Sequence, residues 1–500
     1  MALGSFNPTP TFGLQPSASK IALSTNYITD FNFLSQYLPD TYEKEFERYG
    51  NRSVSSFMRM VGAEMPCESD LIKWAEQGRL HVKYTQVGTT AVAGTDNVEF
   101  QVNDDLAAPG GIAAGVITTK NIATTGGSLG TQLIAIRKGQ TLLISFNNGA
   151  GINKGVVTKV GTADGLASDI RFEVALYEGN GLVTDGTLVT AADCTVFVYG
   201  SEFAKGTAGM DGSLEGDSII FENKPIILKD KYQVTGSDMT QIGWIEVSTE
   251  NGASGYLWYI KSEHETRLRF DDYLETAMIE AVPAEAGSGA IGAAVNLLGS
   301  EGVFNAVETR GNVWAGGLPS TLVDFDTVIS RLDSQGAIEE NVLFVNRELN
   351  FAIDDMLSAQ TGYGSGGTSY GLFDNDEQMA LNLGFSGFRR GYDFYKTDWK
   401  YLNDPTMRGG LAAGAGSVSG LLVPAGTTTV YDQILGKNAK RPFLHVRYRA
   451  SQTEDRRLKT FITGSAGGAA TSDLDAMEVH FLSERAVCVM GANNFVIFED

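Results

Sequence analysis

The sequence predicts an α+β protein built of several units along one chain, and three observations carry that prediction. Apolar residues alternate with period two in short runs across residues 79–248. One long helical stretch follows at 254–282, and helices then alternate with strands from 301 to 425 before strands return at 426–500. A chain of 500 residues exceeds what one core holds, and about three domain-sized units are expected.

Residues 1–38 are rich in Pro, Ser, Thr and Asn with a single Lys or Arg, Lys20, and read as an extended arm. A helical segment is expected over 39–78. Asp40 and Glu43 have capping-box spacing after Pro39, and SDLIKWAEQG reads as a helix from Ser69 to a stop at Gly78. From Arg79 the runs HVKYTQV, NVEFQV, QLIAI, TLLISF, GVVTKV, IRFEVAL and TVFVYG form an extended β excursion to 248. The part from about 135 to 205 reads as a small inserted β domain.

The next segment, 249–300, carries the clearest single element. Between Gly255 and Pro283 there is no Pro or Gly; Leu257, Ile260, His264 and Leu268 share one stripe, continued by Phe270, Leu274, Ala277 and Met278. Glu263–Arg267 and Glu265–Arg269 have the favoured i,i+4 order, and the helix is expected to run roughly 40 Å. FDTVISRLDSQG, VLFVN and RELNFAIDDMLSAQ read as helix, buried strand and helix of a mixed α/β unit over 301–425. TTTVYDQ, MEVHFLS, AVCVMG and NNFVIF return to strands.

Net charge is −22 with mean hydropathy −0.08, so most of the surface repels a phosphate backbone and sequence-specific nucleic-acid binding is not expected. Three scattered cysteines, Cys67, Cys194 and Cys488, form neither a disulfide framework nor a metal knuckle. The N-terminus lacks the pattern of a signal peptide and no apolar run reaches membrane-spanning length, so synthesis in a cytoplasm is expected.

Catalytic patterns are weak. Gly367-Thr-Ser369-Tyr-Gly371 fits the nucleophile-elbow string but sits in a glycine-rich loop, leaving a hydrolase using Ser369 as a minor alternative. The GxGxxG matches at Gly362 and Gly287 follow no clear strand. His81, His264, His445 and His480 lack metal spacing and read as satisfied core or interface residues. No catalytic residue, metal or cofactor is expected.

Several segments carry a family resemblance: WYIKSEHETRLRFDDYLETAMIE, FNAVETRGN, VSGLLVPAGTTTVYDQ, HVRYRASQTEDRRLKTFITG and VHFLSERAVCVMGANNFVIF. With the order of parts, they resemble the major capsid proteins of tailed bacteriophages, the HK97-like fold, and in particular those of crAss-like phages of gut Bacteroidetes. The resemblance implies an N-terminal arm, an extended loop carrying the inserted domain, a peripheral domain with a spine helix, and an axial domain. It implies self-assembly as hexamers and pentamers into an icosahedral virion shell around double-stranded DNA held only by weak non-specific contact. Separate scaffolding, portal and decoration or head-fibre proteins are implied too. Cross-linking through Lys224, Lys229 or Lys231 has no identifiable acceptor. A second reading is another multivalent β-rich protein, such as an adhesin, an S-layer protein or a tail component.

The basic strip FLHVRYRA and RRLKTFITG reads as a hairpin with Leu444, Val446, Tyr448 and Ala450 on one face and His445, Arg447 and Arg449 on the other. Arg447, Arg449, Arg456, Arg457 and Lys459 are expected to meet carboxylates on the long helix or on a neighbouring subunit. With Lys229, Lys231, Glu263, Glu265, Asp271 and Asp272 they are the candidate intersubunit contacts.

Overall fold

The computed structural model describes residues 63–499 except 78–80, 82, 92–96, 103–119, 124–128, 133, 147–150, 167–170, 179–182, 185–186, 189–193, 211–217, 242–246, 249–253, 256–257, 292–296, 362–385, 412–416, 433–436 and 469–470. The expected arm, the helices expected over 39–62 and the Ser369 loop lie outside the described residues. The chain divides into two compact units, Ala75–Phe221 and the remainder on either side of it.

The chain enters as β1 (Ala63–Cys67) and β2 (Ile72–Gln77). The helix expected over 69–78 is thus corrected to a strand. Ser69 Oγ accepts from Leu71 N at 3.2 Å in a tight turn, and buried Ile72 packs with Trp74 on Cys67, Ala486 and Cys488. Packing on that sheet imposes period two on a segment whose local propensity is helical.

The unit Ala75–Phe221 is a closed barrel of β3 (Lys83–Ala91), β4 (Asn97–Val102), β5 (Gln140–Phe146), β6 (Gly151–Val160), β7 (Arg171–Leu176) and β8 (Cys194–Ser201), in the order β8-β3-β4-β7-β6-β5. The strands from Lys83 to Val102 belong to it, so the β domain begins well before the boundary expected near 135. Alternate residues fill its interior: Val98 and Phe100 face Phe172 and Val174, with the two Phe rings stacked at 5.3 Å. Ala135 N donates to the buried Tyr84 hydroxyl at 2.7 Å. A Cβ at Gly155 would fall 2.4 Å from Val174 Cγ1, so only glycine lets β6 lie this close to β7.

The other unit continues with β9 (Ile226–Thr235), α1 (Trp258–Glu280), α2 (Val303–Arg310), β10 (Asn312–Trp314), α3 (Leu322–Gln335), β11 (Glu340–Val345) and α4 (Arg347–Thr361). It ends with β12 (Gly387–Arg390), β13 (Tyr392–Asp398), β14 (Val418–Pro424), the hairpin β15 (Thr427–Asp432) and β16 (Lys437–Pro442), β17 (Leu444–Arg449), β18 (Lys459–Gly464), β19 (Ala476–Val489) and β20 (Val496–Glu499). MEVHFLS and AVCVMG, expected as two strands, are one 14-residue strand.

A mixed six-stranded sheet runs β10-β20-β14-β11-β13-β12, so the C-terminal strand completes the α/β unit. On one face Phe325, Val328 and Leu332 of α3 and Leu349 and Ile353 of α4 meet Leu343, Leu422 and Phe498. Thr321 and Asp324 close a capping box at the start of α3, and Gly336 ends it at φ 70°, a left-handed turn that glycine adopts without strain. On the other face Phe344, Leu421 and Ile497 meet Met278 and Ile279 of α1 and Phe304 of α2.

The second sheet runs β1-β17-β19-β9, with β18 also on β19. The expected hairpin is corrected here. β17 and β18 pair with different stretches of β19, residues 485–489 and 477–482, and so lie end to end on the same side of it. The SQTED turn is a local excursion: Ala450 bridges Asp455, and Arg456 N returns to Arg449 O at 2.9 Å. Continuous pairing along one 14-residue strand keeps both basic segments in the sheet. His445, expected on the polar face, is buried with Nδ1 3.1 Å from Pro442 O.

α1 crosses this sheet. Phe270 and Leu274 pack on Tyr232, Val234, Val479 and Phe481, with Phe270 and Phe481 rings 5.9 Å apart. The expected stripe fails in the first two turns. Trp258 and Tyr259 turn toward this core and Thr266 is buried, while Ile260 is exposed. Thr266 Oγ1 donates to Ser262 O at 2.9 Å, so a polar residue occupies the buried face without losing its partner.

Candidate functional site: a charged belt on the five-stranded sheet

Cross-strand neighbours in a sheet point to the same side. The register therefore places Arg447 beside Met65 and Ala486, and Arg449 beside Cys67, on one face of β1, β17 and β19. Arg449 Nη1 pairs with Asp70 and lies 4.0 Å from Glu484 Oε1. Glu484, nearly buried, lies 3.1 Å from Arg456 Nε. Arg457 pairs with Glu64, whose other oxygen is 3.5 Å from Arg485 Nη1. Lys459 Nζ donates to Glu454 Oε1 at 2.7 Å. The result is a belt of alternating signs that spans both faces of the sheet, with Glu64 and Arg485 on the face opposite Arg449 and Glu484.

The strip thus meets carboxylates on β1, the β1–β2 turn, the SQTED turn and β19, rather than on the long helix. Glu64, Asp70, Glu484 and Arg485 were missed from sequence. Glu484 and Arg485 interrupt two apolar runs, and that SER break was the available signal; Glu64 and Asp70 lay in a segment read as helical.

Arg485 is buried, and desolvation pulls its guanidinium below its usual value against the pull of Glu64; Ser483 Oγ and Arg457 O accept from it at 2.9 Å each. Burial pushes the Cys67 thiol up, opposed by Arg447 and Arg449. Arg447 stands apart. Its Nη1 is 3.9 Å from Met65 Sδ, the Cys67 thiol lies in its field, and among the described residues no carboxylate pairs with it.

Lys231 Nζ donates to Glu478 Oε1 at 3.0 Å, and this bond holds the Glu478 carboxyl below its usual value. Thr463 Oγ1 lies 2.8 Å from His480 Nε2, and the His480 ring stacks on Phe461 at 4.7 Å. Lys229 is exposed on the same strand. On α1, burial raises the Glu263 carboxyl, and Glu265 lies 3.9 Å from Lys261. Arg269, expected to pair with Glu265, reaches Asp230 of β9 at 3.6 Å. Asp271 lies in the field of Arg485, and Asp272 is buried.

Among the described residues no group of three His, Cys, Asp or Glu is placed to hold a metal ion. No described helix is long and apolar enough to cross a membrane.

No family profile matches the chain, and no curated protein sequence does. Among solved structures the fold is similar to a chain from Microbacterium phage Oxtober96, at 8% identity and TM-score 0.37, covering 92% of this chain and 95% of that one. It is similar to the capsid structure of the cyanophage P-SCSP1u at 9% identity and TM-score 0.32, covering 60% and 80%. It is also similar to the SrpI encapsulin of Synechococcus elongatus PCC 7942 at 10% identity and TM-score 0.30, covering 58% and 77%.

Proposed function

We propose that this chain is the major capsid protein of a tailed phage, of HK97-like fold, assembling as hexamers and pentamers into the shell that encloses double-stranded DNA. The observation that supports it best is the construction around α1. A 23-residue charged helix crosses a sheet whose strands come from residues 63–67, 226–235, 444–449, 459–464 and 476–489. A chain that leaves a sheet, makes a separate β unit and an α/β unit, and returns to the same sheet joins segments remote in sequence in one frame. That suits a subunit making many non-identical contacts. The acidic surface fits packaged DNA that is enclosed rather than bound. In this reading the basic belt and the charges of α1 lie at subunit contacts, portal and scaffolding are separate proteins, and the particle is the virion head.

Negative-stain microscopy and sedimentation of the purified chain, alone and with a co-expressed scaffolding partner, test the reading. Closed shells or hexameric sheets are the expected result. A 53.6-kDa monomer under every condition overturns it, and fibres or flat non-hexameric arrays favour a different multivalent structural protein.

A further inference from the structure

The barrel has two unlike outer sides. Across β4, β7 and β6 the outward residues are charged and satisfied: Arg171 Nη1 donates to Glu99 at 2.6 Å, and Glu173 accepts from Asn97 at 2.6 Å and Lys159 at 2.8 Å. Across β8, β5 and β6 the outward side mixes exposed apolar residues with two hydroxyls and one lysine. The register aligns Phe197, Leu143 and Lys154 in one row and Thr195, Ser145 and Ile152 in the next. Tyr177 N donates to Lys154 O at 3.0 Å, and its hydroxyl donates to Glu202, just beyond β8. Tyr199 sits where the β8 register shifts, with Lys154 Nζ 5.8 Å from its ring centroid. Ile152 is 62% exposed, Tyr199 49% and Tyr177 48%. A cluster of exposed aromatic and aliphatic side chains on one side of a closed barrel costs hydration and contributes nothing to the barrel core.

We propose that this side of the barrel is a contact surface for the same side of a second copy of the chain, related by a two-fold axis. The charges choose the occupant. Two copies carrying −22 each repel, so they approach where acid is scarce and charge is balanced. Here a lysine, Lys154, stands within the aromatic cluster, and a carboxylate, Glu202, stands at its rim holding the Tyr177 hydroxyl. In a two-fold contact each residue meets its complement twice, so Lys154 of one copy faces Glu202 of the other across an apolar centre. Tyr and Phe supply such centres because they bury large area with few rotamers to lose.

The contact is independent of the shell reading and is measured on the full chain in dilute solution. Sedimentation velocity of the unmodified chain is expected to show a concentration-dependent dimer. Lys154→Glu and Glu202→Lys each weaken it by about tenfold or more, and the double exchange restores it. Ile152→Cys, near the axis, forms an interchain disulfide on mild oxidation, since the natural cysteines are buried, whereas Glu99→Cys on the charged side does not. Thermal melts of each variant separate lost contact from lost fold. Monomeric wild-type chain throughout, charge variants with unchanged affinity, or equal cross-linking from both cysteines overturns the proposal. So does binding of a glycan or an unrelated protein to this side while the chain stays monomeric.

Discussion

The barrel and the five-stranded sheet are both antiparallel in the main, and each covers a carboxylate, Glu173 or Glu484, but they differ in how exposed its cationic partner is. The barrel is closed, so every strand has two neighbours, and among the described residues its core is made of apolar side chains with Tyr84. Its charges point away from that core, on Glu99, Arg171, Glu173 and Lys159, and Glu173 is covered by its partners while Lys159 is half exposed. The sheet beside α1 is open and built from remote segments, and it buries Glu484 and Arg485 within a strand. A unit whose strands all fall between residues 83 and 201 is specified by apolar alternation alone. Segments that must find each other across the whole chain gain selectivity from matched charges, because a wrong partner leaves a charge buried and unpaired.

Two aromatic pairs, one in each unit, hold the largest expected effects. Phe270→Ala removes the ring that joins α1 to Phe481, and Phe172→Ala removes the ring stacked on Phe100 in the barrel. Both residues are fully buried, and each truncation is expected to cost about 3–5 kcal/mol. Because the units have separate cores, differential scanning calorimetry should lower only one transition in each case. A single transition shifted equally by both would mean that the two cores unfold as one.

The acids come next. Glu484→Ala strands Arg456 and weakens Arg449, and about 2 kcal/mol is expected from urea unfolding. Glu173→Ala frees Lys159, whose side chain is half exposed and can rehydrate, so about 1 kcal/mol is expected. Equal losses would remove the contrast between the belt and the barrel pair.

Within the belt, Arg449 and Arg447 separate folding from assembly. Arg449 is held by Asp70 and Glu484, so Arg449→Glu is expected to lower stability by about 1–2 kcal/mol before any assembly is read. Arg447→Gln removes a guanidinium with no carboxylate among the described residues and should change stability by under roughly 1 kcal/mol. If Arg447 meets a neighbouring subunit, the Gln variant lowers shell yield while melting as wild type. Unchanged yield places that residue outside the contact.

Local signals were legible, and distant ones were not. The capping box of α3 and its glycine stop, the strand VLFVN and the β period of the barrel all rest on neighbours a few residues apart. The closure of the barrel was not readable, because β3, besides its sequence neighbour β4, pairs with β8 across a long intervening stretch. Nor was the contact of Glu64 with Arg485, whose partners are 421 residues apart. Alternation in FLHVRYRA was read correctly as β, but its partner was misassigned. A turn of hairpin length joins two strands equally well when both lie along a third. SDLIKWAEQG failed for a related reason, since only the apolar patch at Cys67 and Cys488 shows which face Ile72 must take.

The smallest effect concerns Glu263 on α1, whose carboxyl burial raises against the opposing pull of Arg267. A carboxyl held above its free value takes up a proton in the folded chain before it does so in the unfolded chain. Folding is therefore opposed at pH above the raised value, and the opposition fades as pH falls through it toward the free value near 4.5. Glu478 does the reverse. The Lys231 bond depresses its carboxyl, so its contribution is present above about 4.5 and is lost as pH falls through the depressed value. Glu263→Gln should accordingly stabilise the chain at pH 7 by roughly 0.5 kcal/mol, with the gain shrinking toward pH 4. Glu478→Gln should destabilise by a similar amount at pH 7, with the loss shrinking at lower pH. Melting curves of both variants from pH 4 to pH 7 check the pair: opposite signs at pH 7 that converge on acidification are expected. The same sign for both would mean that burial on α1 does not govern the Glu263 proton.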